Sequence, residues 1–239
     1  MPDVSALSIN LATVRAQWDL RQAIDGVRAA GIGAIAPWRD QIAAFGLPES
    51  ARMIRASGLA VTGLCRGGMF PAADAAGRAA ADDDNRRALE EAVEIGADCL
   101  VLVVGGLPAG SKDIAGARAQ VEEGIARLLE AARPAGMPLA IEPLHAMYAA
   151  DRACVNTLAQ ALDICDRVAG TDGPNGIGVA IDVYHVWWDP DLAAGIARAG
   201  RSGRILAYHI CDSLVPTRDL LLDSAMMGNG VIILAAIRG

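Results

Sequence analysis

The chain has 239 residues, of which 53% are hydrophobic and 4% aromatic, and its formal net charge is -7 at pH 7. This length suits one large domain, and the acidic charge disfavours binding to nucleic acid, whose phosphates would repel it. A membrane-spanning helix needs about 18 or more consecutive apolar residues, and no such run occurs in the sequence.

The cysteines and the N-terminus bear on the cellular compartment. The 5 cysteines are odd in number and none has the C-x-x-C spacing, so neither a disulfide framework nor a structural zinc site is predicted. Residues 1–3 do not begin a basic region followed by an apolar one, as a signal peptide would. We therefore expect a cytoplasmic protein with reduced thiols.

Seven short apolar segments recur along the chain, each followed by a loop and a stretch of helical spacing. They span residues 6–11, 33–38, 59–65, 99–104, 138–142, 176–182 and 205–211. Each is mostly apolar rather than alternating, which is typical of a strand buried on both faces of a parallel sheet. These segments are predicted to be seven parallel strands.

In the segments between these strands, apolar residues recur at the spacing of an amphipathic helix. The clearest predicted helices span residues 18–30, 82–96 and 113–135. No linker or change of composition interrupts the alternation of strand and helix. The pattern predicts a single α/β domain over residues 1–239 with the architecture of a (β/α)8 TIM barrel.

Seven strands are one fewer than a closed barrel contains. Residues 231–239 read as a helix that would precede the eighth strand, so we expect the natural protein to continue beyond Gly239. A doubly wound open sheet is the structural alternative. A dinucleotide site on such a sheet has little support, because no G-x-G-x-x-G follows the first strand.

Polar residues at the ends of the last three strands suggest a metal site. In a parallel barrel the active site lies at the C-terminal ends of the strands, and here these ends carry Glu142, Asp182 and His209. Taken singly, each has an ordinary alternative role, as a helix N-cap or a hydrogen-bonded core residue. Together, two carboxylates and an imidazole suit Mn²⁺, Mg²⁺, Co²⁺ or Zn²⁺.

Three segments around these residues resemble a known superfamily. Residues 141–144 (Ile-Glu-Pro-Leu), 181–188 and 208–212 resemble the xylose isomerase-like barrels, and among them the sugar phosphate isomerase/epimerase group that includes the ketose 3-epimerases. The resemblance covers essentially the whole chain. It implies that Glu142, Asp182 and His209 hold a divalent ion, most commonly Mn²⁺, with a fourth ligand, a glutamate, on the eighth strand.

Five further residues near the strand ends are candidates for binding a sugar: His185, Arg66, Arg218, Trp38 and Trp187. The resemblance implies that His185 contacts substrate oxygens, and support of a metal ligand is its alternative role. The two arginines suit substrate oxygens. The alternative for Arg66 is a place in a glycine-rich turn, and the alternative for Arg218 is that of a solvated surface arginine. The two tryptophans suit an apolar wall over a sugar ring or packing at the barrel mouth.

Two local departures separate the chain from the ketose 3-epimerases. Those enzymes carry a sugar-binding glutamate six residues after the first ligand, where this sequence has Tyr148. Relatives also tend to carry a Gly-Asp-Gly near the C-terminus, where this chain has residues 228–230, Gly-Asn-Gly. The resemblance therefore does not extend to the exact substrate of those epimerases.

The resemblance implies a metal-dependent isomerase or epimerase that moves a proton of a sugar through an enediolate, with Glu142 as base and ligand. An inosose-type dehydratase on the same metal site and a non-catalytic sugar-binding or subunit protein are the alternatives. An apurinic endonuclease is disfavoured, because its zinc site needs more histidines than the 3 present here. The expected partner is a small sugar substrate, and a homo-oligomer is left open.

Overall fold

The architecture is that of a computed structural model, which describes residue 4 and residues 6–171, 173–220 and 223–237, the side chains of residues 235 and 236 excepted. The strands, in chain order, are β1 (Ser8–Asn10), β2 (Ala34–Ala36), β3 (Ala60–Val61), β4 (Leu64–Gly68), β5 (Leu100–Val103), β6 (Leu139–Ile141), β7 (Ile177–Asp182), β8 (Ile205–His209), β9 (Asp212–Ser213) and β10 (Ser224–Ala225).

The first eight of these strands form one parallel series in the order of the sequence. One sheet contains β1, β2 and β3, and the other runs from β4 to β8, with every pairing parallel. Isolated bridges between Trp38 and Cys65 and between Val61 and Ala97 connect the two sheets. Strand order and direction are those of a (β/α)8 barrel, so the predicted fold class is confirmed.

The predicted third strand, residues 59–65, consists of the two short strands β3 and β4, separated by residues 62–63. The series therefore occupies seven barrel positions, and the described part of the chain contains no eighth parallel strand. The helix predicted for residues 231–239 was too long. Within the described residues of this segment the helix spans only Leu234–Ile237, and residues 238–239 lie outside the description.

Helices fill the connections between the strands: α1 (Leu20–Ala29), α2 (Arg39–Phe45), α3 (Leu47–Ser57), α4 (Ala75–Glu94), α5 (Ile114–Ala132), α6 (Leu158–Ala169), α7 (Val183–Val186), α8 (Leu192–Arg201) and α9 (Leu234–Ile237). None of those described combines the length and the apolar character that crossing a membrane requires.

Capping residues set where the helices begin. Helix α1 starts later than predicted because Asp19 accepts a hydrogen bond from Gln22 N and closes a capping box. Helix α4 starts earlier than the predicted residue 82, because Asp74 caps it by accepting from Gly77 N. Asp113, predicted as the first helical residue of α5, is likewise its N-cap. The helices were thus predicted correctly, but their ends were not.

The interior of the barrel is lined by small side chains, which leaves room for polar groups above them. The buried residues of this inner cluster are Cys65, Cys99, Val101, Ala140 and Ala180, with Trp38, Leu206 and Ala207 packed against them. A larger apolar layer fills the space between the strands and the surrounding helices. The polar residues at the strand ends therefore lie above a well-packed apolar cluster.

Asp212 holds the C-terminal segment against the barrel. Its fully buried carboxylate accepts hydrogen bonds from the backbone N–H groups of Ser213, Gly228, Gly230 and Ile232, each at 2.9 Å. These hydrogen bonds, that of Ile232 above all, lower the pKa of Asp212. A Cβ on Gly230 would collide with the carbonyl oxygen of Ser213. The close approach explains a glycine there.

We expect Asp212→Asn to loosen this segment without unfolding the barrel. An amide group offers one acceptor oxygen in place of two, so some of the four N–H groups lose their partner. Amide hydrogen exchange in residues 228–232 should accelerate at least about tenfold, the effect of losing about 1.4 kcal/mol of local stability. Exposed Asp25 on α1 provides the control, Asp25→Asn. Equal exchange in both variants would contradict the role of Asp212.

Candidate metal centre

Three neighbouring strands bring Glu142, Asp182 and His209 to one end of the barrel. Glu142 directly follows β6 and continues its pairing, since its N–H donates to Leu102 O at 3.0 Å. Asp182 is the last residue of β7 and His209 the last of β8, and the two are paired in register. The pairing of Ile141 with Val179 leaves Glu142 two residues short of Asp182 in the ladder, so the parallel strands bring the three side chains to the same end of the barrel but not to the same level.

The side chains converge closely enough to share one ion. His209 Nδ1 lies 2.8 Å from Glu142 Oε1 and 3.9 Å from Asp182 Oδ2. One potential ligand atom from each residue lies within 4.8 Å of the others, and this is the group among the described residues that could hold a metal. Glu142 is only 7% exposed. The structure therefore brings together the three residues that the sequence predicts as ligands.

The electrostatics of the group reflect its crowding. Burial by itself lowers the pKa of His209, but the hydrogen bond with Glu142 and the charges of both carboxylates raise that pKa to about 9. Burial raises the pKa of Glu142, yet the contact with His209 outweighs it and holds the pKa below the ordinary value. For Asp182, burial dominates and the pKa is raised. Two carboxylates packed against one imidazole, a hard-to-borderline donor set, fit a divalent cation.

Asp182 also has the ordinary role that the sequence leaves open. Its Oδ1 accepts a hydrogen bond from Tyr184 N at 2.9 Å and so caps α7. The other oxygen, Oδ2, points towards His209. The cap fixes the orientation of the carboxylate, so the two roles are compatible. A ligand held in this way loses little conformational entropy when it binds an ion.

Two buried polar atoms beside the triad have no hydrogen-bond partner in the described structure: His185 Nδ1 and Tyr148 Oη. The two rings meet edge to face with centroids 6.0 Å apart. His185 lies near the triad, since its charge acts on the pKa of Glu142 and Asp182. Buried polar groups without partners are rare in native structures. These two are therefore available to a ligand.

The other predicted substrate contacts fall into two groups. Trp38 packs on the inner cluster and donates from Nε1 to Asn10 Oδ1 at 2.8 Å, and partly buried Arg66 lies close enough to Glu142 to lower its pKa. In contrast, the Arg218 side chain is 78% exposed and pairs with Asp223, and Trp187 at the end of α7 is 39% exposed. The structure thus brings Trp38 and Arg66 to the barrel mouth, leaves Arg218 largely in solvent and leaves Trp187 partly exposed.

Arg152 is a residue near the site that the sequence does not single out. Its guanidinium carbon lies 5.6 Å from the centroid of the Tyr148 ring. It belongs to a loop without periodicity, and a bridge between Ala153 and Gly105 returns this loop to the end of β5. A long-range backbone contact of this kind leaves no sequence signal, although the position of this loop after β6 is an indication.

Comparison with known proteins gives a family and a set of folds. Residues 24–239 match the family described as xylose isomerase-like TIM barrel. None of the curated proteins compared with the chain matches it significantly. Among solved structures, protein SMc04130 from Sinorhizobium meliloti 1021 is 66% identical with a TM-score of 0.94, and the match covers 99% of this chain and 84% of that one.

More distant structures share the fold. The IolI protein with a bound zinc atom is 20% identical with a TM-score of 0.78, over 96% of this chain and 81% of that one. A D-psicose 3-epimerase is 21% identical with a TM-score of 0.69, and the match covers 84% of this chain and 71% of that one. Further matches of 20% and 14% identity are a 3-keto-D-glucoside 4-epimerase from E. coli and a probable 3-DHS dehydratase from Bacillus anthracis.

Proposed function

The chain belongs to the xylose isomerase-like TIM barrel family, and from this premise we propose that it is a divalent-metal-dependent isomerase or epimerase of a sugar or sugar derivative. The observation that carries the proposal is the triad of Glu142, Asp182 and His209, which lies beside the unpartnered Nδ1 of His185. The distant epimerase structures support the fold, and the triad supports the chemistry.

Glu142, Asp182 and His209 would hold the ion, and Mn²⁺ is our first choice among the divalent metals that this donor set suits. Such an ion, when bound, polarises a carbonyl and stabilises negative charge on the neighbouring oxygens. A zinc atom in the IolI protein shows that a barrel of this fold takes a divalent metal.

The residues of the chain supply the proton transfer. Glu142 is buried and its pKa is held below the ordinary value, so the carboxylate is ionised and can remove a proton from the carbon beside a carbonyl. His185 Nδ1 offers a hydrogen bond to a substrate oxygen. Return of the proton to the other face gives an epimer, and return to the neighbouring carbon gives an isomer.

A dehydratase on the same site is the second candidate. It starts with the same removal of a proton and then expels a neighbouring hydroxyl group. A probable 3-DHS dehydratase matches 96% of this chain, so the fold is compatible with this candidate. The two candidates differ in their products, because dehydration yields a conjugated carbonyl compound and epimerisation does not.

Deuterium exchange tests the proposal. The purified protein with Mn²⁺ is incubated in D₂O with neutral ketoses, ketose phosphates and keto sugar acids, and proton NMR follows the carbon beside the carbonyl. We expect deuterium uptake into at least one substrate and its loss when EDTA removes the metal. A new ultraviolet absorbance would instead identify a dehydratase. Bound Mn²⁺ without exchange in any substrate would point to a non-catalytic protein.

A further inference from the structure

Two arginines, one within β4 and one in the loop that follows β6 and returns to the end of β5, have no carboxylate partner among the described residues. Arg66 is the extra residue in the register shift where β4 pairs with β5. Arg152 accepts a hydrogen bond at its carbonyl from Gly105 N, at 3.0 Å, just past the end of β5. Because β4 and β5 are neighbours, both arginines emerge at the same part of the barrel mouth. Neither side chain forms an ion pair or a hydrogen bond with another described residue, although the more distant charge of Asp84 acts on the pKa of Arg66.

Both arginines are partly buried, and the neighbouring positions of β4 and the end of β5 place them on the same part of the barrel. Burial and then the charge of Arg152 lower the pKa of Arg66. Placing two like charges together in a partly desolvated position is unfavourable unless a negative group joins them. Glu142 supplies some of this compensation, since the charge of Arg66 acts on its pKa. Its carboxylate, however, is hydrogen bonded to His209 rather than to an arginine.

Tyr148 connects Arg152 to the reacting end of the site. Its ring lies under the guanidinium of Arg152 and against the edge of His185. Its hydroxyl is buried without a partner, as is Nδ1 of His185. A donor-rich surface thus runs from Arg66 through Arg152 and Tyr148 to the triad. Guanidinium and hydroxyl groups are suited to carboxylate and phosphate oxygens.

We propose that Arg66, Tyr148 and Arg152 form a subsite for an anionic group of the substrate, a carboxylate or a phosphate, next to Glu142 and His185. The subsite rests on the proposed function, because it assigns a substrate class to the same site: a sugar acid or a sugar phosphate in place of a neutral sugar. The anion would neutralise both arginines and leave the carbonyl end of the substrate at the triad.

Three matched polyols that lack a carbonyl, and are therefore not turned over, test the subsite: sorbitol, D-gluconate and sorbitol 6-phosphate. Calorimetric titration of the Mn²⁺-loaded protein should show at least one anionic probe binding about tenfold or more tightly than sorbitol. Arg66→Gln and Arg152→Gln should each weaken that anion about tenfold or more, as expected for loss of a charge-assisted hydrogen bond. Both variants should weaken the binding of uncharged sorbitol much less than that of the anion.

The control is Arg28→Gln, which makes the same charge change at an exposed position in the last turn of α1, the helix that leads into the N-terminal end of β2 and so ends away from the barrel mouth. It should leave all three affinities unchanged, and near-ultraviolet circular dichroism verifies that each variant is folded. The anionic probe that responds identifies the group as carboxylate or phosphate. If both arginine variants bind the anions as the unmodified protein does, the subsite does not exist.

The proposed function and the subsite can fail separately. Anion binding that depends on the arginines, with no deuterium exchange in any ketose, would support the subsite and contradict the isomerase proposal. Exchange in neutral ketoses without arginine-dependent anion binding would support the isomerase and contradict the anionic subsite.

Discussion

His209→Ala and Asp182→Ala will each abolish retention of a divalent metal. Each variant removes one of three converging donors, and the triad then offers two. Loss of hydrogen-bonded residues behind a metal ligand already weakens binding by about 10- to 100-fold, so loss of a ligand itself should exceed about 100-fold. Metal content after gel filtration, measured by mass spectrometry on protein loaded with Mn²⁺, gives the result.

A histidine close by but outside the triad provides the control. His145 accepts a hydrogen bond from Met147 N at 3.2 Å and meets Trp188 edge to face. His145→Ala should retain the metal as the unmodified protein does. If His209→Ala and Asp182→Ala also retain it fully, the three residues are not a metal site and the proposed chemistry fails with them.

The strands could be predicted because of how parallel sheets are buried. A strand covered on both faces is a continuous apolar run, and residues 99–104 and 176–182 show this clearly, with β5 and β7 inside them. The division of the third strand into β3 and β4 could not be predicted. It depends on pairing with neighbours on both sides, since Cys65 bridges Trp38 while Val61 bridges Ala97.

The triad was predictable for a related reason. Each of its residues is a polar group at or near the end of an apolar run, and in a parallel barrel the active site lies at the C-terminal ends of the strands. Arg152 and Tyr148 were not predictable in the same way, because their loop has no period. The contact between Ala153 and Gly105, which sets the position of this loop, joins residues 48 positions apart. The glycines that approach Asp212 likewise became explicable only through its four backbone partners.

Glu142 is assigned two roles, ligand and base, and one variant can separate them. Glu142→Gln keeps the size of the side chain and an oxygen that can accept from His209, but an amide cannot take a proton from carbon. Deuterium exchange should fall by about 10²- to 10⁴-fold, the usual contribution of a positioned general base. Metal affinity should weaken as well, so exchange is measured at Mn²⁺ concentrations that restore full occupancy, with metal content determined in the same samples.

The comparison at equal occupancy decides between the roles. Exchange that stays low in the fully loaded Glu142→Gln protein assigns the proton to Glu142. Exchange that recovers with the metal would show that Glu142 is a ligand only and that another group removes the proton. Glu123→Gln, at an exposed position on α5, makes the same chemical change away from the barrel mouth and should alter neither measurement. The geometry favours the first outcome, because Glu142 is buried, whereas Asp182, the other carboxylate of the triad, already accepts a hydrogen bond from Tyr184 N.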